Sequence, residues 1–213
     1  MQATKQTLGS ATTYSTGFQS PGFPADGLLG MGFQSLSSYR AAPVFQSLVA
    51  QGKTTSSQFA FKLAKSGSQL TLGGVNSALY TGAFSYAPVT TAAYWEVNIG
   101  AVKAGSTTLS SNVDSIIDTG TTLIYGDAAT VKKIYAQIPG SASAASTVGD
   151  GYYSVPCSGV PDTISLTFGG KAFTIAGSTL ISDEISSGKC LGGIAAGDFG
   201  KLLSCYHTRS PQF

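Results

Sequence analysis

The stretch Ser115-Ile116-Ile117-Asp118-Thr119-Gly120-Thr121-Thr122-Leu123-Ile124-Tyr125-Gly126 runs two apolar residues into a carboxylate, turns through Thr-Gly and leaves by a second apolar run. This pattern predicts a strand that delivers an acid at its end, a tight turn and a second strand. Gly120 admits backbone geometry that a Cβ would oppose, while Thr119 and Thr121 supply hydroxyls able to bond a carboxylate and hold its orientation. An acid held in this way is suited to chemistry.

The rest of the composition fits such a β-rich setting. The chain has 213 residues, 42% of them hydrophobic, with 27 glycines, enough for one sizeable domain or two small ones rich in tight turns. Charged residues make up 10%, about half the usual share, and the net charge of +2 comes from scattered Lys and Arg with no run longer than Lys132-Lys133. No basic stripe exists to track a phosphate backbone, so nucleic acid is not an expected partner. No apolar run approaches the roughly 20 residues that span a bilayer, so no membrane is expected either. The first residues, Met1-Gln2-Ala3-Thr4-Lys5, are polar and show no signal peptide. Three cysteines leave one unpaired if any bridge forms. No Cys or His spacing matches a zinc site, so no metal and no cofactor is expected. The single histidine, His207, lacks a neighbouring motif that would orient it and reads as a bystander.

Along the chain, residues 4–23 mix Thr, Ser, Gly and Gln with isolated aromatics and predict exposed strands or loops. Ala25-Asp26-Gly27-Leu28-Leu29-Gly30 then places an Asp-Gly turn before two leucines of buried type, compatible with an ordinary core strand. Residues 42–52 predict a short helix with Pro43 in its first turn, Gly52 past its end, and Val44, Phe45 and Leu48 on one face. Phe59, Phe61 and Leu63 alternate with smaller residues and face a second strand at Gln69–Leu72 across a Ser-Gly-Ser turn. Val97, Ile99 and Val102 continue the alternation up to a turn at Ala104-Gly105-Ser106. Asp127 caps a helix whose Val131, Ile134, Tyr135 and Ile138 form one apolar stripe, ended by Pro139-Gly140. Residues 141–151 read as an exposed small-residue loop, and Ile164, Leu166 and Phe168 turn through Gly169-Gly170 into a hairpin that returns via Phe173 and Ile175.

Several of these motifs, taken in order, resemble the pepsin-like aspartic endopeptidases. The resemblance is carried by Asp26-Gly27-Leu28-Leu29-Gly30, by the run from Leu72-Gly73-Gly74 through Phe84, by Tyr86-Ala87-Pro88-Val89, by Tyr94-Trp95-Glu96-Val97 and by the Asp118 loop. It implies an all-β acid-protease fold, truncated, with two or three short helices. Residues 1–85 would be the C-terminal part of a first lobe. Residues 86–213 would be the second lobe, with an atypical tail from about residue 195. The sequences around Cys157 and Cys190 are similar to those of the family's second-lobe disulfide, which implies that these two pair, leaving Cys205 over.

The same resemblance implies a peptide or protein substrate and a water activated between two aspartates. Asp118 would be one catalytic acid, and Thr119 the hydroxyl that ties its loop to the opposite lobe. Gly120, Thr121 and Thr122 would face the substrate, and Tyr94 and Leu28 would line side-chain pockets. The Ser/Thr/Ala-rich texture is closest to the secreted fungal members, implying an extracellular protein.

The chain departs from that pattern in two places. No second Asp-Thr-Gly or Asp-Ser-Gly occurs, and the family's flap hairpin would lie before Met1. After Ala195-Ala196-Gly197-Asp198 the chain continues Phe199-Gly200-Lys201-Leu202-Leu203-Ser204-Cys205, where Gly197-Asp198 aligns only weakly. Since the chemistry needs a pair of acids, the expectation is that this chain alone is inactive, and that a missing first lobe or a second chain must complete the dyad. Two copies could do so across a two-fold axis. The alternative is a non-catalytic peptide-binding or inhibitor-like module on a degenerate protease scaffold.

Overall fold

The computed structural model describes residues 1–19, 23, 25–64 and 66–197, and the backbone alone at 202–204. Asp198, Cys205 and His207 lie outside the described residues. The chain forms two compact units that meet in sequence between Gly82 and Ala83.

The first unit is sparse in regular structure. Helix α1, Val44–Ala50, follows Pro43, whose fixed φ suits the residue before a helix, and Gly52 closes it in the left-handed region at φ 63°. It buries Phe45 and Leu48. Strands β1, Phe59–Lys62, and β2, Gln69–Leu72, pair antiparallel with Phe59 opposite Leu72. Phe59 packs edge-on against Phe45 at 4.9 Å, which joins the ribbon to the helix. The core strand expected at Leu28-Leu29 does not form: both side chains are exposed, at 76% and 62%. Among the described residues of this unit the sheet is the β1–β2 ribbon, and the two leucines lie outside it.

The second unit holds the main core. Strands β3, Val89–Ala92, β4, Trp95–Ala104, and β5, Thr107–Ile117, form consecutive antiparallel pairs, with Gly105 turning β4 into β5 at φ 57°. Strand β6, Ile124–Gly126, leads into helix α2, Ala128–Tyr135, capped by Asp127, whose side chain accepts from the Thr130 N–H at 2.8 Å. Strands β7, Ala142–Ser143, β8, Tyr153–Pro156, β9, Ile164–Phe168, and β10, Lys171–Thr174, follow. Strands β11, Ile181–Ser186, β12, Lys189–Gly192, β13, Ile194–Ala196, and β14, Leu202–Ser204, complete the set. An eight-stranded sheet runs β10-β9-β4-β5-β14-β6-β13 with β3 added on β4, and a four-stranded sheet runs β11-β12-β8-β7.

The periodic positions fill the core as their spacing dictates. Ile99 and Val102 of β4, Ile164 of β9, and the whole stripe Val131, Ile134, Tyr135 and Ile138 of the α2 region are buried together with Leu180 and Ile194. Each fully buried aliphatic residue of this kind contributes roughly 1.5–3 kcal/mol. Cys157 and Cys190 are disulfide-bonded, with Cα atoms 5.0 Å apart. The loop expected to be exposed at 141–151 is partly ordered inward instead. Residues 142 and 143 pair with β8, and Ala144 is buried, its carbonyl accepting from the N–H groups of Thr147, Val148 and Gly149.

Candidate active site

The Asp118 loop owes its position to a strand that comes from far along the chain. The strands on either side of the loop, β5 and β6, are not neighbours. The backbone of β14 lies between them, parallel to β5 with Leu203 opposite Ile116, and antiparallel to β6 with Leu203 opposite Tyr125. Two ladder spacings are about 10 Å, so residues 118–123 bridge across the strand between. Behind the loop, Leu123 and Ile124 are buried and the Ile124 N–H bonds the Gly193 carbonyl at 3.0 Å. Strand β13 continues alongside β6, and its Ile194 is held by Tyr135: the phenol donates to the Ile194 carbonyl at 2.5 Å and accepts from the Ile194 N–H at 3.1 Å. Burial pushes the Tyr135 phenol well above its usual range, against the opposing effect of the Ile194 hydrogen bond.

The acid itself is half-buried and oriented by its own loop. The Gly120 N–H donates to Asp118 Oδ1 at 2.9 Å, and the Thr121 hydroxyl donates to Asp118 Oδ2 at 2.5 Å. Each oxygen therefore has at least one acceptor position fixed by a donor of its own loop. Gly120 is not among the left-handed glycines. Its need for no side chain is steric, since a Cβ there would stand 3.2 Å from Asp118 Oδ1. Thr119, Gly120 and Thr122 are exposed at the loop surface.

The remaining expected site residues divide between the units. Tyr94 sits in the two-residue turn joining β3 to β4 and is 49% exposed. The β4–β5 ladder ends at the pair Glu96 and Ile116, with Tyr94 two residues before Glu96 and Asp118 two residues after Ile116. Leu28 belongs to the first unit, while the Asp118 loop belongs to the second. Asp114 accepts from the Asn98 side chain at 3.3 Å, and Asp127 serves as the α2 cap. Among the described residues no group of three or more His, Cys, Asp or Glu could hold a metal ion.

Glu96 is a residue the sequence reading passed over. Alternation with Val97 and Ile99 would turn it outward to solvent, yet it is 5% exposed and accepts from the Thr90 hydroxyl at 3.0 Å. A carboxylate inside an otherwise apolar-alternating strand was the available signal.

Comparison with known proteins agrees with the motif order. The chain matches the eukaryotic aspartyl protease family over residues 1–203. It is 46% identical over 209 residues to an aspartic protease of Phaffia rhodozyma, covering 95% of this chain and 51% of that protein. It is 35% identical over 180 residues to cathepsin D of Clupea harengus, covering 79% of this chain and 44% of the relative. With pepsin A of Sus scrofa it shares 31% identity over 183 residues, covering 82% and 46% respectively. The chain thus spans about half the length of the curated relatives it matches. With an oriented aspartate on a Thr-Gly turn and a match along nearly its whole length, the chain belongs to the eukaryotic aspartyl protease family, a family of peptide-bond hydrolases.

Proposed function

We infer that the chain supplies one half of an aspartic endopeptidase site, with Asp118 as one of two carboxylates that activate a water against a peptide bond. The observation that carries this reading is the double tether of the Asp118 carboxylate to Gly120 and Thr121 at a partly open loop tip. In such a dyad two close carboxylates cannot both ionise. One takes a proton from the attacking water while its protonated partner gives one to the carbonyl oxygen, and the pair titrates as a unit. Thr121 and the Gly120 N–H hold Asp118 in place. The exposed Thr119 is available to a partner loop, Gly120 and Thr122 face the peptide backbone, and Tyr94 borders a side-chain pocket.

The second acid comes from outside the chain described, either a first lobe or a second copy. The Cys157–Cys190 bridge supports residence outside the reducing cytosol, in keeping with a secreted protein. The presence of a single Asp-Thr-Gly favours one other reading, a peptide-binding module without catalysis. Peptide cleavage at acidic pH separates the two. The protease reading expects turnover that a statine-type transition-state mimic blocks and Asp118→Asn abolishes, rising with the square of concentration if two copies pair. Peptide binding unaffected by Asp118→Asn, without cleavage under any of these conditions, would support the binding module.

A further inference from the structure

The β3–β4 hairpin is held by little backbone pairing. Only Val89 with Val97 and Ala92 with Trp95 are paired, and between them Thr90 and Thr91 on β3 stand against the single residue Glu96 on β4. That two-against-one count is a β-bulge, a device that bends a strand and re-aims its side chains. All four residues of β3 are exposed, so the strand has no core face to anchor it. The side chains supply what the ladder lacks. The Thr90 hydroxyl, in the bulge, lies 3.0 Å from Glu96 Oε1 and 3.4 Å from the Glu96 carbonyl, and Glu96 is buried. A buried carboxylate costs several kcal/mol unless it is satisfied, so it strongly favours the conformation that satisfies it.

The tip of this hairpin is Ala93-Tyr94, just beyond the end of the β4–β5 ladder at Glu96 and Ile116, the end at which β5 also leads into Asp118. We propose that Glu96 is a positioning residue: by fixing the Thr90 bulge it holds Tyr94 beside the Asp118 loop, where the ring selects the side chain of a bound peptide. Its functional half rests on Asp118 being the reacting acid. Its structural half stands alone. Glu96 acts through Thr90 and Tyr94.

Fluorine NMR of the full chain carrying fluorotyrosine at position 94 tests the structural half, with a second sample labelled at Tyr135 as control. Thr90→Val and Glu96→Ala should shift the Tyr94 signal toward that of a free side chain and raise amide exchange at Val89–Ala92 roughly tenfold. The Tyr135 signal should not move. Glu96→Gln, which keeps an acceptor oxygen for Thr90, should restore the native Tyr94 signal. If Glu96→Ala proves unstable, Thr90→Val at its exposed position decides the matter. An unchanged Tyr94 signal in Thr90→Val, or equal changes at Tyr94 and Tyr135, would overturn the proposal. In any cleavage-competent preparation, Thr90→Val should raise KM about threefold to tenfold with kcat nearly constant, the mark of lost uniform binding. A fall in kcat alone would contradict the selecting role. If no preparation cleaves, the Asp118 reading fails, and the NMR result still decides the hairpin claim.

Discussion

Thr121 donates its hydroxyl to Oδ2 of Asp118 at 2.5 Å from only three residues further along the chain. The loop thus carries an orienting group of its own for the acid that the strands around it position. Thr121→Val keeps the shape and removes the donor. Cleavage should fall about tenfold to a hundredfold through misplacement of the carboxylate, while unfolding free energy changes by about 1 kcal/mol or less. Thr121→Ser should recover most of the activity. Steady-state kinetics beside denaturant unfolding check both halves.

Gly120 requires space and not a left-handed backbone, so the effect of alanine there should be local. A Cβ at 3.2 Å from Asp118 Oδ1 forces the carboxylate to give by a few tenths of an ångström. Gly120→Ala is expected to lower peptide turnover severalfold with the melting temperature within a few degrees of the parent. A large loss of stability would show that the backbone conformation, and not the approach of the acid, is the constraint.

The 33-residue separation of Cys157 and Cys190 sets the size of a third effect. Closing a loop of that length removes unfolded-chain entropy worth roughly 3–4 kcal/mol. Unfolding by urea with and without reductant, or in the Cys157→Ala/Cys190→Ala double variant, should show a loss of that order. A loss under 1 kcal/mol would mean that the four-stranded sheet holds this region unaided.

Two groups give stability a pH dependence of opposite sign. Burial raises the Tyr135 phenol, so its contribution is complete below the ordinary tyrosine value near 10 and is lost as pH rises beyond it. For Asp127, burial alone would raise the carboxyl, but hydrogen bonds from Thr130 and Ala129, with Lys133 nearby, hold it below its usual value. Its contribution is present above the ordinary carboxyl value near 4 and is lost as pH falls below it. Tyr135→Phe should flatten the alkaline limb of a stability profile and, by stranding both polar groups of Ile194, cost about 1–3 kcal/mol at neutral pH. Asp127→Asn should flatten the acid limb and keep the cap.

What the sequence made legible was local. The α2 stripe, the Asp127 cap, the Gly169-Gly170 hairpin and the β1–β2 ribbon each follow from a period or a turn residue, and each formed where expected. What it hid was long-range. Nothing in residues 115–126 says that β14, about eighty residues later, separates β5 from β6, because parallel pairing leaves no mark on either strand alone. Leu28 and Leu29 looked buried by type, but burial is decided by what packs over a residue, and both stand exposed. Glu96 looked exposed by alternation, yet it is buried with the hydroxyl of Thr90, in the bulge, against its carboxylate.

The central claim is that Asp118 shares a reacting proton with a second acid supplied from elsewhere. Its most direct test adds, to this chain, the half of the Phaffia rhodozyma relative that it does not match, and follows hydrolysis of a peptide at acidic pH. Hydrolysis that appears only in the mixture, and disappears with Asp118→Asn while the mixture still assembles, is the expected result. Undiminished cleavage by the Asp118→Asn mixture would contradict the account.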